Sequence, residues 1–281
     1  MPERSVLITG CSSGIGRRLA DGLKARGYRV FATARKPADV AALTAAGFES
    51  CLMDLDASES IHRAVDFVLE RSGNRLYALI NNAGYGQPGA VEDLSRQALR
   101  AQLETNVLGP HELSARLLPV FRAHNEGRIV QISSVLGIVC LAYRGAYSAS
   151  KFALEALSDA LRLELRGTGI YVSLIEPGPI RTRFRDNSHA VYRASIRPAQ
   201  SAHRARYEAL ERRLVGASGP LPFTLPPEAV LPKVVHALEA RRPRARYRVT
   251  VPAHLFAVLR RLLPDRALDA VLAAVSKGGG R

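Results

Sequence analysis

The chain has 281 residues, of which 47% are hydrophobic, and it carries a formal net charge of +15. This length suits one α/β domain, and no apolar run is long enough to cross a membrane. The charge suits an acidic partner, but no nucleic-acid-binding motif and no interleaved aromatic residues accompany it, so we expect no nucleic acid as a partner. Transient contact of a basic surface with an anionic membrane stays open.

Cysteine and histidine positions give no sign of a metal site. The three cysteines, Cys11, Cys51 and Cys140, are widely separated, and the seven histidines form no pair with ligand spacing. We therefore predict no metal, and a reducing, cytoplasmic setting for the protein. We also expect no signal peptide, because the first predicted strand begins at Ser5.

Strand and helix patterns alternate along the chain. The predicted strands are Ser5–Thr9, Arg29–Thr33, Glu49–Met53, Leu79–Asn81, Arg128–Ile132, Tyr171–Glu176 and Arg246–Val251. The predicted helices are Gly16–Arg26, Pro37–Ala45, Ser58–Ser72, Ser95–Ala123, Ala146–Arg166 and Pro227–Ala240. This alternation predicts an α/β fold, in which a parallel sheet is covered by helices on both faces.

Three later features depart from the regular alternation. Pro232 lies inside the last helical pattern, where it removes a backbone donor, so we expect that helix to start late or to kink. Residues 181–225 are polar, long and weakly patterned, as is typical of a lid over a substrate site. Residues 253–281 are predicted to form a C-terminal helical extension with two basic, amphipathic stretches.

A glycine-rich turn follows the first predicted strand. It contains Gly10, Gly14 and Gly16, and an amphipathic helical pattern begins directly after it. A strand, such a turn and a helix N-terminus form an anion site, because backbone N–H groups and the helix dipole face a phosphate. We expect Gly10 to allow the tight turn, Gly14 to let the backbone approach a pyrophosphate, and Gly16 to allow close helix–strand packing.

The stretch Tyr147-Ser-Ala-Ser-Lys151 is typical of a proton-transfer site. Tyr147 and Lys151 are four residues apart, so a helix places them on one face. A nearby ammonium favours the phenolate, and we expect Lys151 to lower the pKa of Tyr147 into the range useful for acid–base catalysis. Ser134, thirteen residues before Tyr147, would supply a second hydroxyl to hold a carbonyl or alcohol oxygen.

Together these motifs resemble those of the short-chain dehydrogenase/reductases over nearly the whole chain. The matching residues are, in order, Thr9-Gly-Cys-Ser-Ser-Gly-Ile-Gly16, Asp54, Asn81-Asn-Ala-Gly84, Asn106, Ser134, Tyr147-xxx-Lys151, and Pro177-Gly178 with Thr182. Within the family the chain looks most like the 17β-hydroxysteroid and retinol dehydrogenases, because of that glycine-rich loop, Val30-Phe-Ala-Thr-Ala-Arg35 and Arg246-Tyr-Arg-Val249. The resemblance implies a single doubly wound Rossmann-type domain over residues 1–281, with a seven-stranded parallel sheet. It also implies an NAD(P)-dependent oxidoreductase acting on CH–OH or C=O groups.

The resemblance assigns roles by position. Asn106, Ser134, Tyr147 and Lys151 would be catalytic, with Asn106 kinking its helix and holding a water in a proton relay to Lys151. The cofactor-binding positions would be Gly10, Ser12, Ser13, Gly14, Ile15, Gly16, Arg35, Asp54, Leu55, Asn81, Ala83, Gly84, Tyr147, Lys151, Pro177, Gly178, Ile180 and Thr182. From the residues alone, Asn106 is equally an ordinary polar helix residue, and Asp54 is equally a strand-end cap.

The end of the second predicted strand bears on the choice of cofactor. NAD-binding sites usually place an acidic residue there to hold the ribose 2′-hydroxyl. This chain has Ala34 followed by Arg35, and a guanidinium can pair with a 2′-phosphate through two hydrogen bonds. We therefore expect NADP(H) to be favoured over NAD(H), with Lys36 and Arg17 as further candidate contacts.

The residues between Ser134 and Tyr147 bear on the substrate. Residues 135–143 are apolar and would line a pocket for a lipophilic ketone or aldehyde and its alcohol, such as a steroid, a retinoid or a fatty carbonyl. The candidate pocket residues are Val135, Leu141 and Arg144, with Arg144 placed to meet a polar or anionic end of the substrate. The alternative is that the apolar residues are partly core.

Two other functions stay open at the level of sequence. One is an acyl-carrier-linked β-ketoacyl reductase, whose acidic carrier a basic patch would dock. The other is a non-catalytic NADPH-sensing binding protein, because a fold does not guarantee activity. The presence of all four catalytic residues argues against the second. Members of the family commonly pair through their long helices, so the resemblance implies a homo-oligomer.

Overall fold

Seven parallel strands form one sheet in the computed structural model, which describes residues 4–215 and 222–278. The strands are β1 (Ser5–Ile8), β2 (Arg29–Ala34), β3 (Glu49–Leu52), β4 (Ala78–Asn81), β5 (Gly127–Ile132), β6 (Ile170–Glu176) and β7 (Arg246–Arg248). Their order is β3-β2-β1-β4-β5-β6-β7, and each neighbouring pair is parallel. The predicted doubly wound α/β fold is confirmed.

Eleven α-helices lie in the described residues. They are α1 (Gly14–Lys24), α2 (Pro37–Ala45), α3 (Ser58–Ser72), α4 (Arg96–Leu103), α5 (Gly109–His124), α6 (Gly145–Glu164), α7 (Phe184–Ser195), α8 (Arg204–Leu214), α9 (Leu231–Glu239), α10 (Val251–Leu262) and α11 (Asp265–Gly278). Within the described residues, none is long and apolar enough to cross a membrane.

Helices cover the sheet on both faces. Successive side chains of each strand point to opposite faces, so one strand contributes to both cores. In β1, Val6 and Ile8 pack into a core with α1 and α9, whereas Leu7 packs into a second core with α3 and α5. A strand that must fill two cores has no polar face, which is why the central strands β1 and β4 are short, mostly apolar and fully buried.

The strand order reverses beside β1, and this reversal positions the candidate site. β1 pairs with β2 on one side and with β4 on the other, so the connections leave the sheet in opposite directions. In open parallel sheets, ligands bind at the carboxyl ends of the strands at such a switch point. The glycine-rich turn after β1 and the Asn-Asn-Ala-Gly turn after β4 both lie there.

The long predicted helix Ser95–Ala123 is interrupted in the structure. A π-turn, Glu104–Leu108, separates α4 from α5. Gly109 allows the close approach that follows, because a Cβ there would lie 2.5 Å from the Leu55 carbonyl oxygen. The predicted kink at Asn106 is therefore present, and it takes the form of a π-turn.

Residues 181–225 contain two helices, α7 and α8, that the weak sequence pattern did not predict. A small core forms from Tyr192 of α7, from Ile196 directly after it, from Tyr207, Leu210 and Leu214 of α8, and from Ala90. Each helix has a mostly polar sequence with few apolar residues. The sequence alone therefore did not indicate these helices, which pack against each other through the small core. Residues 216–221 of the predicted lid, and residues 279–281 of the predicted C-terminal extension, lie outside the described residues.

The C-terminal part differs from the prediction at one boundary. β7 ends at Arg248, three residues earlier than predicted, because the Thr250 hydroxyl caps α10 by accepting a hydrogen bond from the Ala253 N–H (3.4 Å). The late start expected from Pro232 is confirmed, since α9 begins at Leu231 and holds Pro232 in its first turn.

Candidate active site

The glycine-rich turn forms a tight cradle at the N-terminus of α1. Gly10 and Gly14 have φ angles of +71° and +58°, which residues other than glycine rarely adopt. A Cβ on Gly16 would lie 2.2 Å from the Gly10 carbonyl oxygen, so this glycine allows the close helix–strand packing that we expected. Ser13 makes no side-chain cap and the first turn of α1 carries no acidic residue. The helix therefore presents its backbone N–H groups to an anion.

Basic residues surround this cradle. A cavity of about 430 Å³ opens beside the turn, lined by Ser13, Gly14, Arg17, Arg18, Asp21, Arg181, Thr182, Arg183 and Pro227. Positive charge at a helix N-terminus favours a polyanion. The cradle and the cavity together fit the pyrophosphate of a dinucleotide, with Ser12, Ser13 and Ile15 at the start of the helix.

The turn after β4 closes against the glycine turn, but through Asn82 rather than Asn81. The Thr9 hydroxyl accepts hydrogen bonds from the backbone N–H groups of Asn82 and Ala83 (both 2.9 Å), and Asn82 Nδ2 donates to the carbonyl oxygens of Thr9 (2.8 Å) and Gly10 (3.2 Å). Asn81 Nδ2 instead donates to the Ser114 hydroxyl of α5 (3.0 Å). Side chains alternate along a strand, so Asn81 packs on α5 and Asn82, which was not predicted as a site residue, faces the turn.

The loop after β6 returns to the glycine turn. Gly178 packs so closely that a Cβ there would lie 2.1 Å from the Thr250 hydroxyl. A Cβ on Gly14 would lie 3.1 Å from the Thr182 side chain, so the predicted residues Gly14 and Thr182 face each other. Ile180 packs against the core beneath. The loop that begins at Pro177 therefore borders the cradle, as expected for a nicotinamide-binding segment.

The residues predicted to contact the adenine side lie at the ends of β2 and β3. Arg35 is exposed, and no ion pair within residues 4–215 and 222–278 holds its guanidinium. Arg17 is drawn to Asp21 on its own helix, with Nε 3.0 Å from Oδ1. Asp54 Oδ1 accepts the Asp56 N–H (3.2 Å), so Asp54 caps the end of β3, and an adenine contact of Asp54 stays a prediction. Leu55 is buried beside it.

Tyr147, Lys151 and Ser134 are brought together as predicted. Tyr147 and Lys151 lie on the buried face of α6, and Ser134 lies close enough to the phenol of Tyr147 to lower its pKa. The Ser134 hydroxyl also accepts the Leu136 N–H (3.1 Å), which fixes its position at the end of β5. The two hydroxyls can therefore hold one oxygen atom of a ligand.

The expected lowering of the Tyr147 pKa is wrong. Burial raises the pKa of Tyr147 to about 12, although the neighbouring Ser134 side chain and the charge of Arg144 act in the opposite direction. Lys151 is directed elsewhere: its Nζ donates to the Ile132 carbonyl oxygen (2.8 Å) and lies 5.8 Å from the centre of the Tyr147 ring. Burial dominates because the phenolate would lose its hydration.

Asn106 lies behind Tyr147, in the π-turn. Its Oδ1 accepts the Tyr85 N–H (3.1 Å), and its Nδ2 donates to the Tyr85 carbonyl oxygen (2.9 Å) and to the Ser150 hydroxyl (3.0 Å). Ser150 in turn donates to the Tyr147 carbonyl oxygen (2.7 Å). Ser150 was not predicted as a site residue, although it lies within the Tyr-xxx-Lys motif. It links Asn106 to the catalytic helix, whereas the water relay to Lys151 stays a prediction.

The substrate side of the site is apolar. Val135 and Leu141 are partly buried against Val139, which packs under α10 and α11, so these residues are partly core. Arg144 lies at the start of α6, close enough for its charge to act on Tyr147. The Phe184 ring of α7 packs edge-on against Tyr147, with 5.3 Å between ring centres. No sequence signal indicated Phe184, because its segment is weakly patterned. Among the described residues, no cluster of three or more His, Cys, Asp or Glu could hold a metal ion.

A phosphate cradle at a sheet switch point, next to a buried Ser–Tyr–Lys set, defines a nucleotide-dependent oxidoreductase. Residues 4–192 match the family model described as short chain dehydrogenase. The chain therefore belongs to the short-chain dehydrogenase/reductase family.

Three relatives place the chain within this family. It is 48% identical to "Uncharacterized oxidoreductase YbbO" of Escherichia coli K12, over 96% of this chain and 94% of that protein. It is 33% identical to an NADPH-dependent 3-dehydrocapnine reductase of Ornithobacterium rhinotracheale (95% of both chains). It is also 34% identical to 17-beta-hydroxysteroid dehydrogenase type 6 of Bos taurus (97% and 88%). The predicted resemblance to the hydroxysteroid and retinol dehydrogenase branch is confirmed.

Solved structures agree with the fold. A short-chain dehydrogenase from Streptomyces avermitilis superposes with a TM-score of 0.77 at 31% identity, covering 96% of this chain and 93% of that chain. An NAD complex of a short-chain dehydrogenase/reductase from Burkholderia phymatum gives 0.78 at 26% identity (96% and 95%). An NADPH complex of the actinorhodin polyketide ketoreductase gives 0.73 at 28% identity (90% and 97%). The relatives thus include both NAD- and NADPH-bound proteins.

Proposed function

We propose that this protein is an NADP(H)-dependent oxidoreductase that interconverts a lipophilic ketone or aldehyde and its alcohol. The observation that carries the proposal is the buried neighbourhood of Ser134 and Tyr147, which lies between an apolar loop and the Phe184 ring. Such a site offers two hydroxyls to one substrate oxygen and little else to a polar molecule. A steroid-, retinoid- or fatty-carbonyl-like substrate suits it best, in line with a relative named as a hydroxysteroid dehydrogenase.

The catalytic side chains divide the work. A nicotinamide bound at the switch point supplies or accepts the hydride. Ser134 and Tyr147 hold the substrate oxygen, and Tyr147 donates its proton to it. With its pKa raised to about 12, the phenol of Tyr147 keeps its proton at neutral pH and can donate it to the substrate oxygen. Carbonyl reduction uses this protonated form.

A preference for NADP(H) is supported by Arg35 and by the absence of an acidic residue at the end of β2, where Ala34 stands. The guanidinium of Arg35 is exposed and forms no ion pair with any described residue. It can therefore bind a 2′-phosphate without first breaking such a pair. One relative is named as NADPH-dependent, which agrees with this preference.

The alternative functions are less well supported. The structure brings four residues together in one site: Asn106, Ser134, Tyr147 and Lys151. A binding protein without catalytic activity would not need this set. A carrier-linked β-ketoacyl reductase would use the basic cavity around Arg17 and Arg181, but those arginines lie beside the pyrophosphate cradle. The lipophilic substrate is therefore the first candidate and the carrier-bound one the second.

Two partner surfaces belong to the same proposal. Exposed leucines on α4, in the π-turn and on α6 suit pairing with a second copy of the chain; they are Leu99, Leu108, Leu157 and Leu163. α10 exposes a separate apolar stripe beside Arg261, which suits transient contact with an anionic membrane. The cytoplasmic setting expected from the cysteines stays a prediction.

The test is NADPH consumption, followed by absorbance, against lipophilic ketones, retinal and a carrier-bound β-ketoacyl chain. Tyr147→Phe removes the donated proton, and we expect turnover to fall about 100-fold or more while NADPH binding is kept. Tyr171→Phe, at a half-buried tyrosine on β6, is the control. Undiminished turnover in Tyr147→Phe would remove Tyr147 as the proton donor. Turnover of the carrier-bound chain alone would favour the second candidate.

A further inference from the structure

A cluster of buried charges lies behind the catalytic residues. Lys151, Glu155 and Asp159 are spaced four residues apart, so they line one face of α6. Glu155 is only 5% exposed, and Glu176, at the end of β6, is fully buried. A carboxylate buried to this extent is costly unless a cation or several hydrogen bonds compensate it. None of these acidic residues belongs to the catalytic set described above.

One guanidinium serves all three carboxylates. Arg246 on β7 places Nη2 3.0 Å from Glu155 Oε2 and 2.6 Å from Asp159 Oδ2. Its Nε lies 3.0 Å from Glu176 Oε1, and Arg248 approaches the other oxygen of Glu176 (3.3 Å). Arg246 thereby joins the helix of Tyr147 to the strand that leads into Pro177 and Gly178.

The charges of this cluster act on one another. Burial raises the pKa of Glu155 to about 7, with the charge of Glu176 adding to it, whereas the neighbouring Ser133 side chain and the charge of Arg246 oppose it. Burial lowers the pKa of Lys151 to about 8, and the charge of Glu155 opposes this. Glu155 and Lys151 therefore both titrate near neutral pH, where a small change in either charge alters the other.

We propose that Glu155 and Arg246 are positioning residues that set the charge of the catalytic lysine: Arg246 keeps Glu155 ionised, and the carboxylate of Glu155 keeps Lys151 protonated. Without the cation of Arg246, Glu155 would take up a proton in its buried position. Lys151 would then face only a carbonyl oxygen and no opposite charge. The effect of Glu155 and Arg246 on turnover rests on the proposed function. Their effect on the charge of Lys151 is independent of it.

Lysine NMR tests the inference directly, without cofactor or substrate. The chain has only five lysines, so the side-chain signals of isotopically labelled lysine can be followed across a pH titration and Lys151 assigned by Lys151→Arg. Glu155→Gln keeps the shape of the side chain and removes its charge. We expect Lys151 in this variant to titrate about one pH unit or more below its wild-type value. Glu49→Gln, which breaks the Arg29–Glu49 ion pair at the other edge of the sheet, is the control and should leave Lys151 unchanged.

Arg246→Met tests the second step. We expect it also to lower the pKa of Lys151, whereas in the Glu155→Gln background it should cause no further lowering, because Arg246 acts through Glu155. Arg246→Lys keeps the charge and should restore much of the wild-type titration if Arg246→Met is poorly folded. An unchanged Lys151 titration in Glu155→Gln would overturn the inference. A shifted titration in a protein that reduces no carbonyl would instead refute the proposed function and leave this inference standing.

Discussion

Tyr147 is buried beside Phe184, Ser134 and Arg144, and this environment sets the pKa of its phenol. Burial penalises the phenolate more strongly than Ser134 and Arg144 favour it, so the pKa rises to about 12. The residue is thereby an acid at rest. Arg35 lies in the opposite environment, in contact with solvent. It is exposed, and its charge is available to a ligand.

Arg35→Ala should weaken NADPH binding about 10-fold or more and leave NADH binding nearly unchanged, because only NADPH carries the 2′-phosphate that a guanidinium can hold. Dissociation constants measured by calorimetry for both nucleotides check this expectation. Arg63→Ala, at an exposed arginine of α3 far from the cradle, is the control. Equal losses for the two nucleotides would contradict the assignment.

The helices position the site by where they begin and where they are broken. α1 begins inside the glycine turn, so its N-terminus faces the cradle. The π-turn between α4 and α5 pulls Asn106 out of the helical ladder and against Tyr85 and Ser150. α7 begins at Phe184, and its first ring covers Tyr147. We expect the lid role of residues 181–225 to depend on this contact.

Gly14→Ala should reduce nucleotide affinity about 10-fold or more, because the added Cβ would meet Thr182 at 3.1 Å within the cradle. Gly73→Ala is a matched control, since Gly73 has a φ of +61°, close to the +58° of Gly14, but has nothing within 4 Å of its Cβ position. Both variants should lose about 1–2 kcal/mol of unfolding free energy from the left-handed backbone, measured by denaturant titration. Unimpaired binding in Gly14→Ala would mean that the turn does not hold the nucleotide.

An exposed apolar stripe on α10 lies next to the proposed substrate side of the molecule. Val251, Leu255, Val258 and Leu262 are spaced four, three and four residues apart, so they share one face of α10. Each is at least half exposed, at 58%, 51%, 52% and 73%. The opposite face of α10 packs on Val139 and its neighbours, so a surface bound by the stripe would lie close to the proposed substrate pocket.

Leu255→Gln combined with Leu262→Gln should reduce co-sedimentation with phosphatidylglycerol vesicles at least about 3-fold, because it removes apolar area that the bilayer would bury. Vesicles of phosphatidylcholine should bind the wild type weakly, since they lack the negative charge that attracts Arg261. Leu157→Gln with Leu163→Gln, on α6, is the control and should change the oligomeric state instead, as read by light scattering. If the α10 variant loses oligomers but still binds vesicles like the wild type, the stripe on α10 does not contact the membrane.

Much of the architecture follows from the sequence alone. Alternating strand and helix patterns, the spacing of Gly10, Gly14 and Gly16, and the Tyr147-xxx-Lys151 pair depend on local periodicity, which is written in neighbouring residues. Only the tertiary structure decided that Asn82 and not Asn81 faces the glycine turn, and that residues 181–225 contain two helices. It also decided that burial raises the pKa of Tyr147 and that Arg246 joins three carboxylates. These features depend on burial and on contacts between residues far apart in the chain, where no local pattern records them.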